Sequence, residues 1–220
     1  MRVIVAGGHG KIGQLLLRAL AERGDTGVGL VRNPDHVDEL AALGAEAVVL
    51  DLEHASPDEV RPVVAGADAV VFAAGAGAKG GIERKDSVDR ATAVLTAEAA
   101  ELEGVRRYLQ VSSFGAGEEV PEGTDETFTA YLRAKTAAED DLRGRAGLDW
   151  TILRPTTLTD EPGTGQVTLS TPPLETSEVS RADVAAVLVA LLDAPGTAGS
   201  TLMLTKGTTP VADAVAAHAS

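Results

Sequence analysis

The chain has 220 residues, no cysteine, 44% hydrophobic residues and a formal net charge of −14, with 33 acidic side chains against 19 basic ones. That length and apolar share suit one folded domain with a sizeable core rather than a disordered chain. The acidic balance argues against nucleic acid and anionic membrane surfaces as partners, and the missing cysteines remove disulfides, thiolate metal sites and cysteine nucleophiles. No apolar run reaches membrane-spanning length, and the residues after Met1 already read as a fold element rather than a cleavable leader. A cytoplasmic protein is expected. His9, His36, His54 and His218 stand singly without ligand spacing, so no metal site is expected.

The first stretch, Arg2 to Leu17, is an apolar β-branched run, a glycine cluster and then an apolar stripe of helical period. Glycines at 7, 10 and 13 suit a turn that needs positive φ, close approach of a phosphate to bare backbone, and tight packing of helix on strand. The helix N-terminus then offers unpaired N–H groups and a positive dipole end to a pyrophosphate. A second strand, 28–31, ends at Arg32. In dinucleotide folds this tip faces the adenosine ribose, where an arginine pairs with a 2′-phosphate and an acid with a free 2′-hydroxyl. Arg32 therefore favours NADP over NAD, the alternative being a solvated charge at a strand end, and Lys11 could add positive charge.

A short helix over 34–43 and a third strand over 47–50 lead to Asp51-Leu52, which could hold the adenine or, for Asp51, cap the next turn. Ser56-Pro57-Asp58-Glu59 opens another helix with a capping box. Residues 69–75 are a fourth, buried strand whose small end, Ala73, Ala74 and Gly75, would let backbone lie against a cofactor. The glycine-rich residues 75–81 could move on binding. A long helix over 83–103 ends at Gly104, and a fifth strand over 107–111 opens onto Ser112-Ser113. This alternation predicts an α/β, doubly wound parallel sheet with helices on both faces, its strand tips lining one ligand-binding edge.

On the next helix, 125–145, Tyr131 and Lys135 are four apart and share a face. A lysine ammonium favours a nearby phenolate, and a serine hydroxyl can bond the same oxygen, so such a tyrosine can exchange a proton with a substrate oxygen as hydride moves. The later residues read as a sixth strand from Trp150, a loop or small cap at 159–165, a strand over 166–170, an amphipathic helix over 178–192, a closing strand over 200–204 and a last helix over 210–217. Trp150 reads as core, and Phe114 as core or pocket wall.

Gly7-x-x-Gly10-x-x-Gly13, Arg32, Asp51-Leu52, Val88-Asp89-Arg90, Val111-Ser112-Ser113, Tyr131-x-x-x-Lys135 and Leu153-Arg154-Pro155 together resemble the short-chain dehydrogenase/reductase superfamily. The likeness is to its atypical and extended, epimerase/dehydratase-like branches, and Ser180-Arg181-Ala182-Asp183-Val184-Ala185 is similar to that family's late helix. The resemblance implies a Rossmann domain over 1–220 with 156–180 as substrate loop or cap. It implies Tyr131 as general acid/base, Lys135 on the nicotinamide ribose, and Ser113, or less so Ser112, orienting the substrate oxygen. Backbone at Gly7, His9, Gly10, Lys11 and Ile12 would take the pyrophosphate, and the chain at Pro155 would lie near the nicotinamide amide. The short C-terminal part suits a small or planar carbonyl, quinone or flavin, in a shallow pocket or one completed by a second copy in a homodimer. A flavin or quinone reductase that does not use the tyrosine, a non-catalytic NADP(H) sensor, and an NAD-dependent epimerase or dehydratase are the alternatives.

Overall fold

The structure is a computed structural model that describes residues 1–77, 81–171, 174 and 177–219. Residues 78–80 of the glycine-rich stretch, and 172, 173, 175 and 176 of the expected cap, lie outside the described residues. β1 (Arg2–Ala6) alternates its buried side chains between two layers, as a strand covered on both faces must. Val3 and Val5 pack with Leu16, Leu17 and Leu20 of α1 (Lys11–Arg23), and with Val184, Leu188 and Leu191 of α7 (Arg181–Leu192). Ile4 and Ala6 pack instead with Val60 and Val64 of α3 (Pro57–Val64), Ala97 of α5 (Thr92–Leu102) and Leu142 of α6 (Glu126–Arg143).

Around β1 run β2 (Thr26–Val31), β3 (Glu46–Val49), β4 (Ala69–Phe72), β5 (Arg107–Val111) and β6 (Asp149–Pro155), in the order β6-β5-β4-β1-β2-β3 with every neighbour parallel. The chain steps outward from β1 in both directions, so a crevice opens at the carboxyl ends beside it. β10 (Ser200–Lys206) adds in parallel to β6, whereas β8 (Gln166–Ser170) and the two-residue β11 (Thr209–Pro210) close the edge antiparallel. α8 (Val211–Ala216) completes the chain. α2 (Val37–Ala41) follows a 3-10 turn over Pro34–His36, and no described helix is long and apolar enough to cross a membrane.

Two elements depart from the sequence reading. The helix expected over 83–103 starts as α4 (Ile82–Arg84), widens to a π-helical segment over Lys85–Ala91 and returns to α5. At this seam the hydroxyl of Thr92 donates to Val88 O at 2.5 Å and that of Thr96 to Thr92 O at 2.8 Å, a back-bonding that periodicity does not reveal. The helix expected from Glu178 begins at Arg181, because Ser180 caps it, its hydroxyl oxygen accepting Asp183 N–H at 2.9 Å. The residues before it form β9 (Glu178–Ser180), paired in parallel with β7 (Thr157–Thr159).

Candidate active site

The strand tips Gly7, Arg32, Asp51, Ala73 and Ser112 open on one pocket of about 1040 Å³. Gly7 has φ +84°, and a Cβ there would stand 2.7 Å from Ala74 N and Cα, so the turn lies directly on the tip of β4. A Cβ at Gly13 would meet Gly8 O at 2.9 Å, which ties α1 against the turn. Gly10 N–H donates to Gly7 O at 2.9 Å, and no side chain caps α1. The pocket floor here is bare backbone at a helix N-terminus, which fits a pyrophosphate.

Arg32 is three-fifths exposed at the rim, 3.4 Å from Glu53. Glu53 is clamped by Arg84 at 2.6 Å and Ser87 Oγ at 2.7 Å, and these bonds hold its carboxyl below the usual range against the opposing effect of burial. Asp51 accepts Glu53 N–H at 3.1 Å and bonds His54 Nδ1 at 3.0 Å, a local turn at the tip of β3. Leu52 lines the pocket beside it. Lys11 pairs with Asp160 beyond β7, and Arg181 reaches the same carboxylate at 2.6 Å, joining the glycine turn to the cap.

Tyr131 and Lys135 both face the pocket from α6, whose N-terminus is capped by Asp125 accepting Phe128 N–H at 3.0 Å. Lys135 is buried, with Nζ 3.2 Å from Asp89 Oδ1, 3.3 Å from Val111 O and 5.7 Å from the Tyr131 ring centroid. The other Asp89 oxygen accepts Ala76 N–H at 3.2 Å, tying the lysine to the loop after β4. The second lysine beside the tyrosine, Lys85, comes from the π-helical segment, with Nζ 5.3 Å from the same centroid. Phe128 stacks on Tyr131 at 5.9 Å.

Of the residues singled out in the sequence, the structure brings to this pocket Gly7, His9, Gly10, Lys11, Ile12, Arg32, Asp51, Leu52, Ala73, Ala74, Gly75, Tyr131 and Lys135. Ser113 and Pro155 do not line it. Ser112 does, and it is buried on the side of the Glu139 carboxylate, whereas the Ser113 hydroxyl donates to Phe114 O at 3.2 Å. Pro155 O accepts Phe114 N–H at 3.0 Å.

The histidines are not all isolated. The turn after β2 brings His36 onto His9, rings 3.4 Å apart and 6° from parallel, with His9 Nε2 2.9 Å from Glu39. Potential ligand atoms of the three lie within 4.8 Å of one another, a juxtaposition that spacing across two elements conceals. A metal lies in the plane of the imidazole that binds it, and two face-to-face rings do not offer one ion such a position. The group is a stacked corner of the pocket mouth.

Sequence reading passed over Glu53, Arg84, Lys85 and Phe128. Glu53 and Phe128 lie just beyond a predicted strand tip and just inside a predicted helix, where a charge or an aromatic ring has a signal in retrospect. Lys85 had none, since a helical pattern gives one lysine no reason to be buried.

A family model described as NAD(P)H-binding matches residues 7–195. An uncharacterized sugar epimerase of Bacillus subtilis, YhfK, is 37% identical over 98% of this chain and 99% of its own. Among solved structures, a candidate NAD-dependent epimerase/dehydratase of Bacillus halodurans superposes with a TM-score of 0.90 at 38% identity, covering 99% of both chains. ChuY, an anaerobillin reductase of Escherichia coli O157:H7, superposes with a TM-score of 0.80 at 26% identity, over 94% of this chain and 97% of its own.

Proposed function

The chain belongs to the NAD(P)H-binding family, and on that premise we propose that it is an NADP(H)-dependent oxidoreductase acting on a small or planar carbonyl, quinone or flavin. The observation that carries the reading is Tyr131 beside a buried Lys135 at the mouth of a glycine-floored pocket. When bound, the nicotinamide supplies or accepts the hydride. The backbone at Gly7, His9, Gly10, Lys11 and Ile12 holds the pyrophosphate, Arg32 meets the 2′-phosphate, and Ala73, Ala74 and Gly75 leave room for the cofactor against β4.

Lys135, fixed by Asp89 and Val111 O, addresses the nicotinamide ribose hydroxyls. The Tyr131 phenol gives its proton to the substrate oxygen in reduction and takes it back in oxidation. Ser112, which lines the pocket, is better placed than Ser113 to orient that oxygen. ChuY, named as an anaerobillin reductase and similar in fold, supports a reductase reading.

Glu53 beside Arg32 favours a second reading, an NAD-dependent epimerase, because a carboxylate there could accept the free 2′-hydroxyl. Turnover decides between them. Purified protein should oxidise NADPH with at least one member of a carbonyl, quinone and flavin panel, and Tyr131→Phe should lower that rate by about 100-fold or more. Unchanged turnover in Tyr131→Phe would remove the tyrosine from the chemistry.

A further inference from the structure

Among the described residues, six cationic side chains line the pocket: Lys11, Arg32, Arg84, Lys85, Lys135 and Arg181. Five of them lie within 4.0 Å of a carboxylate. Lys11 and Arg181 share Asp160, Arg32 and Arg84 share Glu53, and Lys135 has Asp89. Lys85 has no carboxylate within that distance among the described residues, yet it is only 6% exposed. Its Nζ donates to Gly77 O at 2.7 Å and stands 5.3 Å from the Tyr131 ring centroid, a hydrogen bond and a cation–π contact but no counter-charge.

A buried ammonium without a counter-charge is unfavourable, and this chain carries 14 more acidic than basic side chains from which a partner could have come. The charge faces the pocket beside Tyr131, so the neutralising group arrives with a ligand. Next to it lies a flat apolar surface, the half-exposed Phe128 ring stacked on Tyr131 at an interplanar angle of 27°. An aromatic face left open at a pocket mouth suits a conjugated ring.

We propose that Lys85 is a substrate-anion site, and that the pocket takes a planar carbonyl compound bearing a carboxylate. The carboxylate pairs with the Lys85 ammonium, the conjugated body rests on Phe128 and Tyr131, and the carbonyl oxygen meets the Tyr131 hydroxyl. The proposal rests on the reading of Tyr131 as the reacting centre. The cofactor's phosphates have their own places at the glycine turn and Arg32, which leaves Lys85 for the substrate.

The test uses two matched pairs of probes: 4-carboxybenzaldehyde with its methyl ester, and anthraquinone-2-carboxylate with its methyl ester. Binding to protein saturated with oxidised cofactor is followed calorimetrically, so no turnover is needed. At least one acid should bind about tenfold or more tightly than its ester. Lys85→Met should erase that preference, Lys85→Arg should keep most of it, and Phe128→Ala should weaken acid and ester alike. NADPH affinity of Lys85→Met should stay within about twofold of native, a readout that also confirms a folded variant. Acids that bind no better than esters, a preference that survives Lys85→Met, or an equal loss of NADPH affinity in that variant would overturn the assignment. Lys85-dependent binding of an acid without NADPH oxidation by any acid would leave the anion site standing and refute the reductase reading alone.

Discussion

Replacing Glu139 with Gln should be among the most damaging single changes away from the pocket. Glu139 is fully buried on α6, where its carboxylate accepts Arg154 Nε at 2.9 Å and Nη2 at 2.5 Å, and Arg143 at 2.7 Å. Arg154 is itself buried, on β6, and its guanidinium lies against Gly117, where a Cβ would stand 2.6 Å from Nη2. Glutamine keeps an oxygen and the shape but removes the charge, leaving a buried guanidinium uncompensated. Breaking a buried pair of this kind costs about 3–5 kcal/mol. At about 2–4 °C per kcal/mol for a chain of this size, the melting temperature should fall by about 6–20 °C.

Thermal and urea unfolding of Glu139→Gln, Glu139→Leu, Arg154→Met and the double variant Glu139→Leu with Arg154→Met would measure this. The double variant should recover to within about 1–2 kcal/mol of native, because two apolar side chains of similar volume leave no stranded charge. A loss below about 1 kcal/mol in Glu139→Gln, or a double variant as unstable as the sum of the singles, would refute the argument. The pair also predicts a pH dependence. Burial pushes the Glu139 carboxyl up, but the Arg154 bonds, the Ser112 hydroxyl and the charges of Arg154 and Arg143 outweigh it and hold the carboxyl below its ordinary range. Its stabilisation is then complete above the unfolded value of about 4.3 and is lost as pH falls through the lower folded value. The acid-side decline in stability should be shallower in the double variant.

Arg32→Ala should weaken NADPH binding by about tenfold or more while leaving NADH within about twofold, as read by fluorescence titration, because a charge-assisted bond to the 2′-phosphate is lost. Equal losses for both cofactors would take Arg32 off that phosphate. Gly13→Ala should cost about 1–3 kcal/mol in stability and weaken either cofactor, since the added methyl runs into the Gly7 and Gly8 carbonyls. Unfolding curves and titrations matching native would mean that the turn has slack. Tyr108→Phe should cost about 1 kcal/mol in a urea titration, since its buried hydroxyl bonds Thr96 at 2.9 Å.

The sheet was legible because its information is local. The apolar β-branched run at Val3 to Ala6, the continuous apolar run at 69–72, and Gly24 and Gly104 at positive φ behind their helices all sit within a few residues of what they specify. The glycine turn was legible for the same reason. What sequence could not supply lies between elements. His36 reaches His9 across a strand, Asp160 meets Lys11 across 149 residues, and Ser112 rather than Ser113 lines the pocket. The π-helical segment that carries Lys85 and Asp89 is hidden inside an unbroken helical pattern, and the Lys135 pair that Asp89 makes comes from a separate helix.

The measurement that tests the account most directly is deuterium transfer. NADPH labelled with deuterium at C4 of the nicotinamide would be incubated with the protein and a turned-over carbonyl, and the product alcohol analysed by mass spectrometry. One deuterium per product molecule is expected from one cofactor face, faster from NADPH than from NADH, and nearly abolished in Tyr131→Phe. A cofactor that binds tightly but passes no deuterium to any carbonyl and is not oxidised by any quinone or flavin would contradict the reductase reading and identify a binding protein instead.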